Sequence, residues 1–153
     1  MKIVRVASVT FGAVVVLATG YWIYVEGFAN PRVVRELTEN PAGERARRVM
    51  LLTLPGGRRI PVNYLREGGV VYAAADGSWW KQLVGVGFPV TLLVRGETLA
   101  GTARAVLDDP DYSQRVFKKL RPNAIEGFGT LVEIRLDGPF VDDDAEEFAL
   151  DDR

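Results

Sequence analysis

The chain contains no histidine and no cysteine among its 153 residues. These absences exclude a Ser–His–Asp triad, a cysteine nucleophile and a zinc site built from histidine and cysteine. They also exclude disulfide bonds, so cysteine usage does not indicate a redox compartment. Any catalysis must therefore use carboxylates, lysine, arginine, tyrosine, hydroxyl groups or a bound cofactor. The length, with 48% apolar residues, predicts one domain with a packed core.

Negative charge is concentrated at the C-terminus. Residues 142–153 contain seven of the 20 acidic side chains and one arginine, which leaves residues 1–141 with 18 basic and 13 acidic side chains. Such a segment is typical of a solvated, disordered end. We therefore expect residues 141–153 to form an acidic disordered tail. The alternative is a tail that folds onto the basic part of the domain.

The N-terminal region contains a long uncharged stretch. Val6–Val25 is twenty residues without a charge, which as a helix spans the roughly 30 Å hydrocarbon core of a bilayer. Tyr21, Trp22 and Tyr24 cluster at one end, where aromatic rings favour the membrane interface. Residues 1–28 are therefore predicted to be a single transmembrane anchor, with a cleaved signal peptide as the alternative. Basic residues flank both ends, so charge does not fix the orientation.

Residues 29–43 are predicted to form a juxtamembrane helix or linker. Asn30 is suited to cap a helix and Pro31 to its first turn. Asn40 and Pro41 are typical of a helix end.

Residues 44–140 have the pattern of a small antiparallel barrel. Six short apolar or alternating segments are separated by glycine, proline and aspartate turns. Pro61 indicates that the second strand has an edge or a bulge. We therefore predict a mainly β fold, a six-stranded antiparallel split β-barrel with two short helices, preceded by the single transmembrane helix. The predicted strands are RRVMLLTLP, RRIPVNYLR, VVYAAA, PVTLLVRG, LAGTARAVLD and GTLVEIRLDG, and the helices are SWWKQL and DDPDYSQRVFKKL. In the last strand, alternation places Val132, Ile134 and Leu136 on the apolar face, and Glu133 and Arg135 on the polar one.

A glycine-bearing turn precedes the second strand. The amides of Gly56 and Gly57, with the guanidinium groups of Arg58 and Arg59, are suited to bind a phosphate. An ordinary hairpin turn with solvated arginines is the alternative.

The segment DGSWWKQL holds two of the three tryptophans. Ser78 is placed to cap a helix whose first-turn amides could bind an anion, and Lys81 adds a charge there. Of Trp79 and Trp80, one can pack inward while the other lines a cleft for a planar ring. The alternative is that both tryptophans close one end of the barrel.

Two charged clusters have simpler explanations. Arg45, Arg47 and Arg48 lie near the predicted anchor and are suited to anionic headgroups or to a solvated strand edge. No aromatic stacking array accompanies them, so we expect no nucleic-acid partner. Asp109, with a proline after it, is expected to cap a helix, and no metal site is predicted there.

The region 47–137 resembles the deazaflavin-dependent nitroreductases, a group within the FMN-binding, pyridoxamine-phosphate-oxidase-like split barrels. The resemblance rests on LLT before the glycine/arginine turn, on RRIPVNYLREG, on WWKQL and on the basic turn RG. It implies a bound coenzyme F-420 or FMN, with hydride transfer to a nitro, quinone or similar small-molecule acceptor. It also implies a homodimer, and a barrel on the cytoplasmic side, where reduced coenzyme is supplied. Asn63 and Tyr64 would contact the coenzyme ring.

Two functions are therefore expected. The first is a membrane-anchored oxidoreductase whose cofactor-binding residues are Gly56, Gly57, Arg58, Arg59, Asn63, Tyr64, Ser78, Trp79, Trp80 and Lys81. The second is a non-catalytic split-barrel module that binds a lipid, quinone or protein partner at the membrane.

Overall fold

The computed structural model describes residues 30–123, 127 and 129–138. The predicted transmembrane segment and the acidic tail lie outside these residues and stay predictions. Among the described helices, none combines the length and apolar character needed to cross a bilayer.

Six antiparallel strands form a barrel, as predicted, and this barrel is closed. The neighbours around it are β1-β2-β3-β6-β5-β4, and β4 returns to pair with β1. The strands are β1 Val49–Thr53, β2 Arg59–Glu67, β3 Val70–Ala75, β4 Phe88–Val94, β5 Glu97–Val106 and β6 Thr130–Leu136. The helices are α1 Asn30–Glu39 and α2 Pro110–Leu120, with 3₁₀ helices at Arg45–Arg47 and Ser78–Leu83.

Alternating side chains of all six strands fill the barrel. Met50, Leu52, Val71, Leu92 and Ile134 are fully buried in this core. Their neighbours along each strand face outward, as the period of two requires. Leu51 of β1 also faces outward, yet it is buried because it packs under Leu37 of α1. This contact explains why β1 is apolar on both faces.

Helix α2 covers β3 and β6 and begins as the sequence predicts. The Asp109 carboxylate accepts a hydrogen bond from the Tyr112 N–H at 2.8 Å, and Pro110 occupies the first turn. Glu133, expected on the polar face of β6, is instead buried beneath this helix with 5% exposed. Burial of a carboxylate requires hydrogen-bond partners.

Tyrosine and arginine side chains supply those partners. The Tyr112 hydroxyl oxygen lies 3.2 Å from Glu133 Oε2 and 3.0 Å from the Tyr72 hydroxyl oxygen. A hydroxyl carries one proton, so both contacts are satisfied when Tyr112 donates to Glu133 and Tyr72 donates to Tyr112. Arg104 and Arg135 lie 3.5 and 3.2 Å from the same carboxylate. This network fixes α2 on the barrel.

Strand β2 pairs with β1 through its first five residues and with β3 through its last four. The β2–β3 ladder runs from Glu67 to Tyr64 and ends there, so residues 59–63 pair with β1 alone. The Tyr64 N–H donates to the Arg48 carbonyl on the β1 side. Backbone groups alternate in direction along a strand, so the nitrogen of Pro61 faces β3 and has no proton to donate. The predicted edge character of Pro61 is confirmed.

We expect Tyr112→Phe to change how stability depends on pH. Burial raises the pKa of the Tyr112 hydroxyl well above its usual value near 10, and the Tyr72 hydrogen bond and the Glu133 charge raise it further. Above about pH 10 the unfolded chain releases this proton and the folded chain keeps it, so the free energy of unfolding falls as pH rises. Urea denaturation between pH 7 and 11 should show a shallower fall for Tyr112→Phe than for the wild type.

The same variant should be less stable by about 1 kcal/mol at pH 7, because Tyr72 and Glu133 each lose a partner. Equal high-pH slopes for the two proteins would show that this hydroxyl is not the group responsible.

Candidate functional site

A cleft opens where β2 and β3 separate. This seam cleft has a volume of about 390 Å³, and Pro61, Asn63, Ala74, Trp79 and Arg121 contribute to its lining. Its position follows from the incomplete β2–β3 ladder, because strands that no longer pair leave space between them. The half-buried Trp79 packs on the barrel core while also lining this cleft.

A second, larger cleft adjoins the first. This basic cleft has a volume of about 880 Å³ and shares Arg45, Val49 and Asn63 with the seam cleft. Arg47, Arg48 and Lys119 add positive charge to its lining, against Glu36 and Glu44. The two clefts therefore adjoin through these three residues, with a cluster of arginines in the basic cleft and an indole beside Arg121 in the seam cleft.

Most cations of the basic cleft are held by exposed acidic partners. Arg45 lies 2.9 Å from Glu36, and Arg48 lies 2.7 Å from Glu44. Ion pairs this exposed contribute little to stability and exchange readily with another anion. Arg47 makes no ion pair with any described residue. An incoming anion could thus bind these guanidinium groups at small cost.

Tyr64 lines the basic cleft with Asn63 and also positions the neighbouring arginines. Its ring packs against the barrel core, and its hydroxyl donates to the Ala46 carbonyl at 3.1 Å. Ala46 is the buried centre of the Arg45–Arg47 3₁₀ helix. Asn63, the preceding residue, is exposed on the opposite face of β2. The two side chains therefore leave β2 on opposite faces, although both residues line the basic cleft.

The glycine turn lies away from these clefts. Gly56 and Gly57 take φ values of +92° and +85° in the β1–β2 hairpin, and the turn closes through a Leu54 N–H to Arg58 carbonyl bond. Register pairs Thr53 with Arg59 at this end and Val49 with Asn63 at the other. The turn is thus four residues along β2 from Asn63, about 13 Å. A phosphate site at Arg58 and Arg59 stays a prediction.

The tryptophan segment is a 3₁₀ helix, and the cap predicted for Ser78 is absent. Gly77 holds the N-cap position, and no side chain caps this end. Ser78 and Lys81 are exposed, whereas Trp79 and Trp80 are half-buried and both pack on the barrel core. Both tryptophans therefore pack on the core, and Trp79 of the pair also lines the seam cleft.

Sequence reasoning missed several residues that line the clefts. Arg45, Arg47 and Arg48 were visible as a basic run, yet nothing in the sequence placed them beside Asn63. Arg121 carried no signal, because it meets Asp76 only through the fold, with Nη1 2.7 Å from Oδ1.

No known protein family and no curated protein sequence matches the chain. Among solved structures, one that is similar is the crystal structure of a candidate pyridoxamine 5′-phosphate oxidase from Listeria innocua. It is 13% identical, with a TM-score of 0.47, over 61% of this chain and 88% of that chain. At this level the likeness supports neither a cofactor nor an activity, and the fold assignment rests on the strand order.

We expect iodide to quench the fluorescence of Trp79 more than that of Trp80. Iodide is an anion, and Trp79 shares its cleft with Arg45 and Arg121. In a background where Trp22 is replaced by Phe, Trp79→Phe should lower the iodide quenching constant more than Trp80→Phe does. Neutral acrylamide is the control quencher. If the acrylamide quenching constants of the two variants differed as much as the iodide constants, accessibility and not charge would be the cause.

Proposed function

We propose that the protein is a membrane-anchored oxidoreductase of the split-barrel class that binds a phosphorylated flavin or deazaflavin, FMN or coenzyme F-420. Its acceptor would be a nitro compound, a quinone or a similar small molecule. The supporting observation is that the basic cleft adjoins the seam cleft through Arg45, Val49 and Asn63. A phosphate and a planar ring on one molecule need those two environments side by side.

The donor set fits the phosphate end of such a cofactor. Arg47 and the exchangeable Arg45 and Arg48 offer guanidinium groups suited to bidentate contact with phosphate oxygens. These side chains are exposed but are held close together by the Tyr64–Ala46 hydrogen bond.

The ring end would be held by Trp79 and Asn63. An indole offers an aromatic surface, and an amide offers both donor and acceptor groups for a pyrimidine edge. The bound cofactor would supply hydride transfer, and the chain would supply binding and electrostatics. This division of labour is compatible with a protein that has neither histidine nor cysteine.

The position of the basic cleft favours a second candidate function, recognition of an anionic lipid headgroup by a non-catalytic module. Helix α1 begins at Asn30, five residues after the predicted span ends at Val25. It packs against the start of β1, next to Arg45. Clustered basic residues this close to a membrane attract acidic lipids, at about 1 kcal/mol per side chain.

We expect the full-length chain in lipid nanodiscs to bind FMN or F-420 saturably, with quenching of tryptophan fluorescence. FMN should bind more tightly than riboflavin, which differs by the phosphate alone. Arg47→Ala should weaken FMN binding about fivefold, since an exposed charge contact is worth about 1 kcal/mol, and should leave riboflavin unchanged. Arg115→Ala, an exposed arginine of α2, is the matched control.

Two further variants separate this cleft from the glycine turn. Loss of the FMN preference in an Arg58→Ala, Arg59→Ala double variant, but not in Arg47→Ala, would move the phosphate to the turn. If neither cofactor bound, the oxidoreductase proposal would fail. Binding to anionic but not to neutral nanodiscs, weakened by Arg47→Ala, would then support the lipid-binding function.

A further inference from the structure

The basic cleft holds more positive than negative charge. Its lining contains four basic and two acidic side chains, those of Arg45, Arg47, Arg48, Lys119, Glu36 and Glu44. Glu67 adds a third carboxylate, because it lies 2.8 Å from Lys119. One cation is therefore in excess, and exposed Arg47 makes no ion pair with any described residue. A cleft with this balance attracts an anionic partner.

Strand β6 ends beside this cleft. The Leu136 N–H donates to the Gly69 carbonyl at 3.0 Å. Gly69 follows Glu67 by two residues, and the Glu67 carboxylate holds Lys119 at the edge of the cleft. The described part of the chain ends two residues after Leu136. The C-terminal residues beyond it therefore begin near the Lys119 edge of the basic cleft.

The C-terminal residues are numerous enough to reach both clefts. Asn63, which lines both, lies six residues along the chain from Gly69, and this is at most about 20 Å in extended chain. Glu147 follows Gly138 by nine residues and can lie up to about 30 Å from it. Acidic side chains near Glu147 can therefore reach Asn63 and Arg45 without any rearrangement of the barrel.

The acidic segment, residues 142–153, has the chemistry that these clefts require. It contains seven acids, and Phe148 lies among them in the run EEFALDD. In the adjoining clefts, arginines line one part while Pro61 and Trp79 line the other. Arg45 lines both clefts, so a carboxylate beside an aromatic ring would meet a guanidinium beside an indole.

We propose that the acidic segment of this chain binds across the two clefts, with carboxylates on Arg45 and Arg47 and with Phe148 against Trp79. Individual exposed charge contacts are weak, but a segment on the same chain has an effective concentration on the order of millimolar. Even a segment whose Kd as a separate peptide is about 1 mM therefore occupies the clefts about half of the time. The acidic segment is then a ligand of its own domain.

A single fluorescent label tests this contact, because the chain has no cysteine of its own. Bimane attached at Ala149→Cys is quenched when an indole touches it, and Trp22→Phe removes the indole of the predicted anchor. In the full-length chain in phosphatidylcholine nanodiscs, Trp79→Phe should raise bimane emission about twofold or more. Trp80→Phe, the matched control, should leave the emission unchanged. Equal emission with and without Trp79 would overturn the proposal.

The role of charge is tested on the same labelled chain, with both tryptophans of the 3₁₀ helix in place. Arg47→Ala should weaken docking about fivefold and recover most of the bimane emission. Arg115→Ala, an exposed arginine of α2, should not change it, and added NaCl should relieve the quenching. Equal effects of the two variants, or quenching that salt leaves intact, would contradict the proposal. Quenching that disappears at one chain per nanodisc would assign the segment to a second copy.

Docking also implies that a ligand of the clefts must displace the acidic segment, a consequence that rests on the proposed function. Phe148→Ala removes no charge and should let FMN bind up to about twofold more tightly, because a half-occupied site is freed. Phe140→Ala, which precedes the segment, is the matched control. Unchanged FMN affinity in Phe148→Ala would overturn the competition. If FMN bound to neither chain, the proposed function would fail, while the bimane emission would still decide whether the segment docks.

Discussion

The site depends on the early end of the β2–β3 ladder. That ladder extends only from Tyr64 to Glu67, and Pro61 cannot continue it, because its nitrogen faces β3 and has no proton to donate. The barrel nevertheless closes, because β2 stays paired with β1 along residues 59–63 and the remaining ladders are continuous. A closed barrel with one locally open seam can keep a filled core and still present a cleft between adjacent strands.

The charges around that seam are arranged by packing more than by ion pairing. The Arg45–Arg47 3₁₀ helix is fixed by buried Ala46 and by the Tyr64 hydroxyl, neither of which is charged. Its guanidinium groups are then left with exposed acidic partners that contribute little to folding. Because packing of the backbone positions these arginines, an anionic ligand can replace their acidic partners without destabilising the surrounding fold.

Local patterns in the sequence were sufficient for the barrel. Alternation in GTLVEIRLDG placed Val132, Ile134 and Leu136 inside, and the Asp109–Pro110 pair located the start of α2, because both signals act within a few residues. The burial of Glu133 was not predicted, because alternation distinguishes the two faces of a strand and does not show that a helix covers the outer one. The site was harder still. Asn63 and Trp79, which the sequence singled out, line the seam cleft. Arg121 was not singled out, because it reaches Asp76 across 45 positions of sequence, a contact that only the closed barrel creates.

Arg121 also lines both the seam cleft and a cavity of about 490 Å³ beside α2. Its Nη atoms bond to Asp76 and to the Ala74 carbonyl, and both of these residues line the seam cleft. A planar guanidinium cannot rotate toward one cleft without changing what it offers the other.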